Sequence, residues 1–232
     1  MFIPWSFSPL VLRPALWLDA SDASTIYSGS SLAAPDGAIS QWLDKSGNGH
    51  HATQSTGVSQ ALRKTGIKNG RDLVRFDGAN DFFYTPGLGP LSIEYTIFTV
   101  FKSNSPSATQ CVVYNGFTGS NGYGLYLISS QVDVLQGGVA ILSDGSSNTN
   151  FESVSIRRNS SVNAMTRNGA SASLSGNAAP NASTGAIGIG GPITSGNTLD
   201  GDIAEILFFD FALSDLERTA IESYLNAKWS IY

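Results

Sequence analysis

A chain of 232 residues, 41% of them hydrophobic, is long enough to fold as one all-β sandwich with a sizeable core. Only 13% are charged, the net charge is −5, and no run of Lys or Arg exceeds two residues; the clustered cations that nucleic acid requires are absent. The single cysteine, Cys111, excludes an internal disulfide framework, and no apolar stretch approaches the roughly 20 residues of a membrane-spanning helix.

Residues 1–14 form an apolar arm carrying Phe2, Ile3, Trp5 and Phe7, punctuated by three prolines and without a basic start, so it does not read as a secretory signal. Two readings stand for it: an edge strand tucked on the sandwich, or an arm that packs on a neighbouring subunit or particle. If the chain starts at its native Met1, the expectation without an export signal is a protein made in the cytoplasm that stays there or leaves as part of a particle released by lysis. The polar surface must come from Ser, Asn, Thr and Gly, a composition associated with extracellular and virion proteins.

From residue 15 onward, short alternating runs separated by Gly, Asn, Ser and Pro predict strands at Ala15–Ala20, Ile39–Asp44, Ala61–Thr65, Leu73–Asp77, Phe82–Thr85, Tyr95–Lys102, Cys111–Asn115 and Tyr123–Ser129. Further strands are predicted at Gln131–Gln136, Val139–Ser143, Ser153–Arg158, Val162–Arg167, Ala170–Leu174, Ala186–Gly190 and Asp202–Phe209. Asn168-Gly169 between two such runs is a two-residue hairpin signal. Cys111, inside a strand-like run, reads as a small buried hydrophobe.

The closing stretch is the most informative. Alternation over Asp202–Phe209 puts Ala204, Ile206 and Phe208 on one face and Ile203, Glu205, Leu207 and Phe209 on the other. Both faces are largely apolar, as in a strand covered on both sides. Ser214 with Glu217 three residues later predicts a capping box, and Leu216, Ala220, Tyr224 and Leu225 give the following helix an apolar face.

Gly201-Asp-Ile-Ala-Glu-Ile, the Ala212-Leu-Ser corner and the helix ending at Trp229 resemble the closing segment of laminin-G-like, concanavalin A-like jelly-roll domains. Leu16-Trp-Leu-Asp-Ala-Ser-Asp with Gln41-Trp-Leu-Asp-Lys-Ser-Gly-Asn-Gly-His-His-Ala resembles that family's opening, and Asn69-Gly-Arg-Asp-Leu-Val-Arg-Phe-Asp-Gly-Ala-Asn-Asp-Phe its next strand. The resemblance covers residues 15–230, in order. It implies an all-β jelly roll of two antiparallel sheets with a short C-terminal helix, residues 15–232 forming one domain behind the arm. Domains of this kind serve as lectins, adhesion modules, virion parts and occasionally enzymes.

Several constellations bear on chemistry. Asp200-x-Asp202-x-x-Glu205 is similar to the acidic set of glucanases sharing this fold, whose outer carboxylates act as nucleophile and general acid. Here Asp replaces the first Glu, and a regular strand would put Glu205 on the face opposite Asp200 and Asp202; the expectation is turn residues and a structural Glu205. Asp44, Ser46 and Asn48 alternate like the first ligands of a calcium loop, or form a tight turn around Gly47 and Gly49. Asp77 and Asp81 around Gly-Ala-Asn offer the same choice, and the family resemblance implies Ca2+ at a rim of sandwich loops. His50 and His51 are adjacent, so in a regular strand they point to opposite faces and share no metal. No Gly-x-Ser-x-Gly elbow or phosphate loop is present.

Aromatic residues suggest binding. Tyr114, Asn115, Phe117, Asn121 and Tyr123 cluster in a Gly/Asn/Tyr loop suited to stacking a sugar, or else close the core as strand-end aromatics. Phe82, Phe83 and Tyr84 are consecutive, so at least one ring must point outward. The leading expectation is a non-enzymatic virion module, a bacteriophage head decoration or tail/receptor-binding protein. Its partners would be other virion proteins or its own subunits, with a cell-surface glycan as ligand. The alternative is a carbohydrate-binding lectin or adhesin domain of a secreted bacterial protein, extracellular in location; a glycoside hydrolase comes third.

Overall fold

The computed structural model describes residues 7–88, 93–183, 186–193 and 196–232. In chain order the strands are β1 (Leu16–Asp19), β2 (Ile26–Ser28), β3 (Ser31–Leu32), β4 (Gln41–Trp42), β5 (Ala52–Thr53), β6 (Leu62–Lys68), β7 (Arg71–Asp77), β8 (Phe83–Thr85) and β9 (Tyr95–Ser103). They continue with β10 (Gln110–Asn115), β11 (Tyr123–Ile128), β12 (Gln131–Gln136), β13 (Ala140–Ser146), β14 (Glu152–Asn159), β15 (Val162–Arg167), β16 (Ala170–Ala172), β17 (Ile187–Ile189) and β18 (Asp200–Phe209). One α-helix, α1 (Asp215–Trp229), closes the chain.

Every strand pairing is antiparallel, and the strands form two sheets. The first runs β16-β15-β14-β9-β18-β7-β6, with β1 also on β18; the second runs β13-β12-β11-β10-β17-β8-β5-β4-β2-β3. Strand β18 is central because it is long: one edge takes β9, while the other takes β7 along Asp200–Ile203 and β1 along Glu205–Phe208. The main core lies between the sheets, with Trp42, Phe83, Tyr95, Tyr123 and Phe208 fully buried. A smaller core, with Trp17, Phe98, Leu207, Phe209, Leu225 and Trp229, lies between the first sheet and α1. The Asn168-Gly169 turn joins β15 to β16 as its sequence predicts, both residues at positive φ (50° and 76°).

Two expectations for the closing stretch are corrected. A β-bulge between Ile203 and Glu205 interrupts the alternation. It places Ile203, Ile206 and Phe208 between the sheets and Ala204, Leu207 and Phe209 beneath the helix. The helix starts at the predicted Ser214–Glu217 capping box, both reciprocal bonds being present. Its buried face, however, is Ile221, Leu225 and Trp229, whereas Leu216 is 83% exposed. The helix lands on the sheet only from its second turn onward. Among the described residues, no helix is long and apolar enough to cross a membrane.

Candidate functional site

Glu205 has no exposed surface. Oε1 accepts from Trp17 Nε1 (2.8 Å) and the Tyr224 hydroxyl (2.9 Å), and Oε2 from Trp229 Nε1 (2.7 Å) and Lys228 Nζ (2.8 Å). Lys228 also donates to Asp19 Oδ1 at 2.6 Å, and Lys45 bridges Asp19 Oδ2 (2.9 Å) to Asp22 Oδ2 (2.8 Å). Signs alternate along this line of charges from Asp22 to Glu205. Burial, joined by the negative charge of Asp19, raises Glu205 above the ordinary carboxylate range. The two indoles and Lys228 can only donate, so the site is built around the ionised form. Burial also pushes Asp19 upward, but Lys228 and Lys45 outweigh it and hold Asp19 below its usual value.

Because the bulge turns Glu205 to the helix side, it shares a face with Asp202. Neither is free. Asp202 makes a two-pronged ion pair with Arg75 (2.6 and 2.9 Å), and Asp200 accepts from Asn104 and Ser105. The expected opposition of Glu205 and Asp202 is thus corrected, while the carboxylates are engaged as structural groups. Beside Tyr224 and Lys228 the charged line borders a groove of about 890 Å³ between α1 and the sheet. Phe7 lines this groove, its ring 6.0 Å from that of Tyr224. The described part of the arm thus packs on its own chain, through a 3-10 turn (Pro9–Leu12) rather than an edge strand; Phe2, Ile3 and Trp5 lie outside the described residues.

The candidate calcium loops are turns. Asp44 Oδ1 accepts from the Trp17 and Ser46 amides, and Oδ2 from the Ser46 hydroxyl and the His50 amide, so each oxygen already holds two donors. Asn48 directs its amide nitrogen, a donor, at the Pro14 and Ala15 carbonyls. His51 Nδ1 accepts from the Asp44 amide. Asp77 Oδ1 accepts from the amides of Ala79, Asn80 and Asp81, and Asp81 Oδ2 from that of Asp77. Burial and the charge of Asp77 raise Asp81 to about 6. No group of three or more His, Cys, Asp or Glu converges to hold a metal ion among the described residues.

The predicted sugar loop is also corrected. Tyr114, Asn115 and Tyr123 are fully buried. Tyr123 is stacked on Tyr95 at 3.6 Å in the main core, because β11 turns it inward. Tyr114 packs with Cys111 and Tyr126 on the outer side of the second sheet, its hydroxyl on the Asn121 carbonyl. Asn121 Oδ1 accepts from the Phe117 amide, and only Phe117, 48% exposed, presents a ring.

A different face of the second sheet has the geometry of a binding site. On β2, β4, β5 and β8, Ile26, Trp42, Ala52 and Phe83 point into the core. Their alternates point outward: Tyr27 pairs with Gln41, Gln41 with Thr53, and Thr53 with Tyr84. Tyr27, Gln41, Thr53 and Tyr84 therefore form one row across four strands, about 14 Å from end to end at the usual strand spacing. Phe82, two residues before Tyr84, lies on the same side, ring centroids 4.8 Å apart. Of the consecutive aromatics, Phe83 alone goes inward.

Gln41, Thr53 and Tyr84 of this row floor a cleft of about 470 Å³ walled by Ser40, Gln54 and Phe82, with Tyr27 outside its lining, a size suited to a small ligand. Gln54 secures the wall: its Nε2 donates to the Phe82 carbonyl and its Oε1 accepts from the Thr56 amide. The side chains of Gln41 and Thr53 make no hydrogen bond to the described residues. The sequence signalled only the aromatics here. Gln41 and Thr53 sit on strands of two residues, too short to show a period.

No family model matches the chain, and no curated protein matches it. Solved structures are similar in fold. Trypanosoma rangeli sialidase in complex with 2,3-difluoro-KDN superposes with a TM-score of 0.63 at 15% identity, over 94% of this chain and 33% of that one. An arabinofuranosidase complexed with arabinofuranosyl-alpha-1,2-xylobiose gives a TM-score of 0.63 at 16% identity, over 93% and 59%. The binding domain of botulinum neurotoxin serotype D/C gives 0.54 at 12% identity, over 93% and 53%. The chain thus spans about a third of the sialidase and little over half of the other two. At these identities the likeness is one of fold: a concanavalin A-like jelly-roll β-sandwich.

Proposed function

We propose that this chain is a non-enzymatic carbohydrate-binding module whose sugar site is the cleft over Gln41, Thr53 and Tyr84. The observation that carries the reading is the in-register row Tyr27–Gln41–Thr53–Tyr84. In the cleft the paired rings of Phe82 and Tyr84 stand beside amide and hydroxyl groups that the protein leaves unused. A sugar offers C–H faces to stack on rings and hydroxyls that both donate and accept, which is what Tyr84, Gln41 and Thr53 complement. Similar sandwiches occur in a sialidase, an arabinofuranosidase and a toxin's binding domain, which agrees with this reading. It is the lectin or adhesin alternative expected from the sequence; neither the cleft nor these likenesses support the virion role. Absence of catalysis belongs to the proposal too, since Asp200, Asp202 and Glu205 all serve internal bonds.

A glycan array on the purified chain tests it, run with calcium, with chelator, and with the Tyr84→Ala variant. Expected are selective binding, persistence under chelator because Asp44 and Asp77 are committed to turns, and loss in the variant. A blank array would overturn the proposal.

A further inference from the structure

The cleft has a property that selects among sugars. Of the nine residues lining it, none is charged. Asp81, the nearest acidic residue in sequence to Phe82, accepts from the Asp77 amide instead of facing the cleft. The helix-side groove is the opposite case, lined by Asp19, Asp22, Lys45, Arg71 and Lys228. Resting on the carbohydrate reading above, we infer that the cleft takes a neutral glycan and rejects sugars bearing a carboxylate, such as sialic or uronic acids.

The argument is one of desolvation. A sugar carboxylate entering the cleft would shed water and find amide and hydroxyl donors but no guanidinium or ammonium partner. The chain's net charge of −5 adds a weak repulsion at long range. A neutral hydroxyl meets no such cost: the Gln41 amide offers donors and an acceptor, and the Thr53 hydroxyl offers both, whereas Ser40 already donates to the Tyr27 carbonyl and accepts from the Gly29 amide. The row crosses four strands in one line, so an extended chain of several sugars seated over Gln41, Thr53 and Tyr84 would have to run on past the cleft to reach Tyr27.

Titration calorimetry with neutral probes (cellohexaose, xylohexaose, mannohexaose) and acidic ones (oligogalacturonate, sialyllactose) decides the matter, on the native chain and on Tyr84→Ala and Gln41→Ala. Expected is binding of at least one neutral probe, weakened tenfold or more in both variants, with acidic probes at least tenfold weaker on the native chain. Acidic probes that bind as tightly as neutral ones, with affinity lost in Tyr84→Ala, would overturn the inference and leave the cleft as the sugar site. Binding untouched by either substitution would place the sugar elsewhere and overturn both.

Discussion

The two sides of this molecule handle polar groups in opposite ways. Beneath the helix, Glu205 and Asp19 are buried, Lys228 and Lys45 half-buried, and each is bound to several partners. On the outer face of the second sheet, Gln41 is half-buried and Thr53 exposed; both are neutral and carry no side-chain bond to the described residues. Polarity already spent inside the protein holds a fold together; polarity left unspent in a concave aromatic setting is available to a ligand. The carboxylates look the more chemical of the two sets, yet the amide and hydroxyl row is the better candidate site.

The sharpest way to break this contrast is Glu205→Ala. It leaves two indole N–H groups in a buried space without an acceptor and takes from Lys228 one of its two carboxylate partners, Asp19 remaining, and should lower the unfolding free energy by about 3–5 kcal/mol. Urea denaturation measures it; a loss below about 1 kcal/mol, the worth of one ordinary hydrogen bond, would mean the network is not structural. Trp229→Phe keeps most of the buried ring and deletes one donor to a charged acceptor, for a loss of about 2 kcal/mol. Glycan binding, if it resides in the cleft, should survive both substitutions wherever the protein remains folded.

How much of this was legible in the sequence depends on element length. The long strands β9, β14 and β18 show alternation over many residues, and the Ser214–Glu217 and Asn168–Gly169 signals are local chemistry that needs no tertiary context. The faces of β18 were misread because one bulge reverses the alternation that precedes it. Tyr114 and Tyr123 looked like a surface platform because a Gly/Asn-rich neighbourhood resembles a loop, whereas β10 and β11 carry both rings into buried positions. Strands β2, β3 and β5 have two or three residues each and show no period. The candidate site stands partly on these, since its row exists only after pairing brings residues 27, 41, 53 and 84 together.

A smaller effect comes from Asp81, which belongs to neither side. Its value is raised to about 6 by burial and by Asp77, against 3.8 ordinarily. The folded state therefore holds this proton more tightly than the unfolded one, and its contribution makes the protein more stable as pH falls from about 6 toward 4. Asp19 and Asp22 are held low, so their contributions are present above 3.8 and lost only as pH falls below it. Asp81→Asn keeps an acceptor for the Asp77 amide and removes the titration. Thermal melts between pH 4 and 6 should show a flatter profile for the variant, with higher stability than the native chain near pH 7. An unchanged profile would show that Asp81 titrates at its ordinary value.

The smallest expected effect on stability is the most informative. Gln41→Ala and Thr53→Ala remove groups that hold nothing in place, so each should shift unfolding by no more than about 0.5 kcal/mol. If those side chains await a sugar, the same changes should cost tenfold in glycan affinity, about 1.4 kcal/mol. Affinity would then fall by more than stability does, the reverse of the pattern at Glu205. Should the stability loss at Gln41 match or exceed the loss of affinity, the outer row would be a structural element like the inner network, and the distinction between the two faces would collapse.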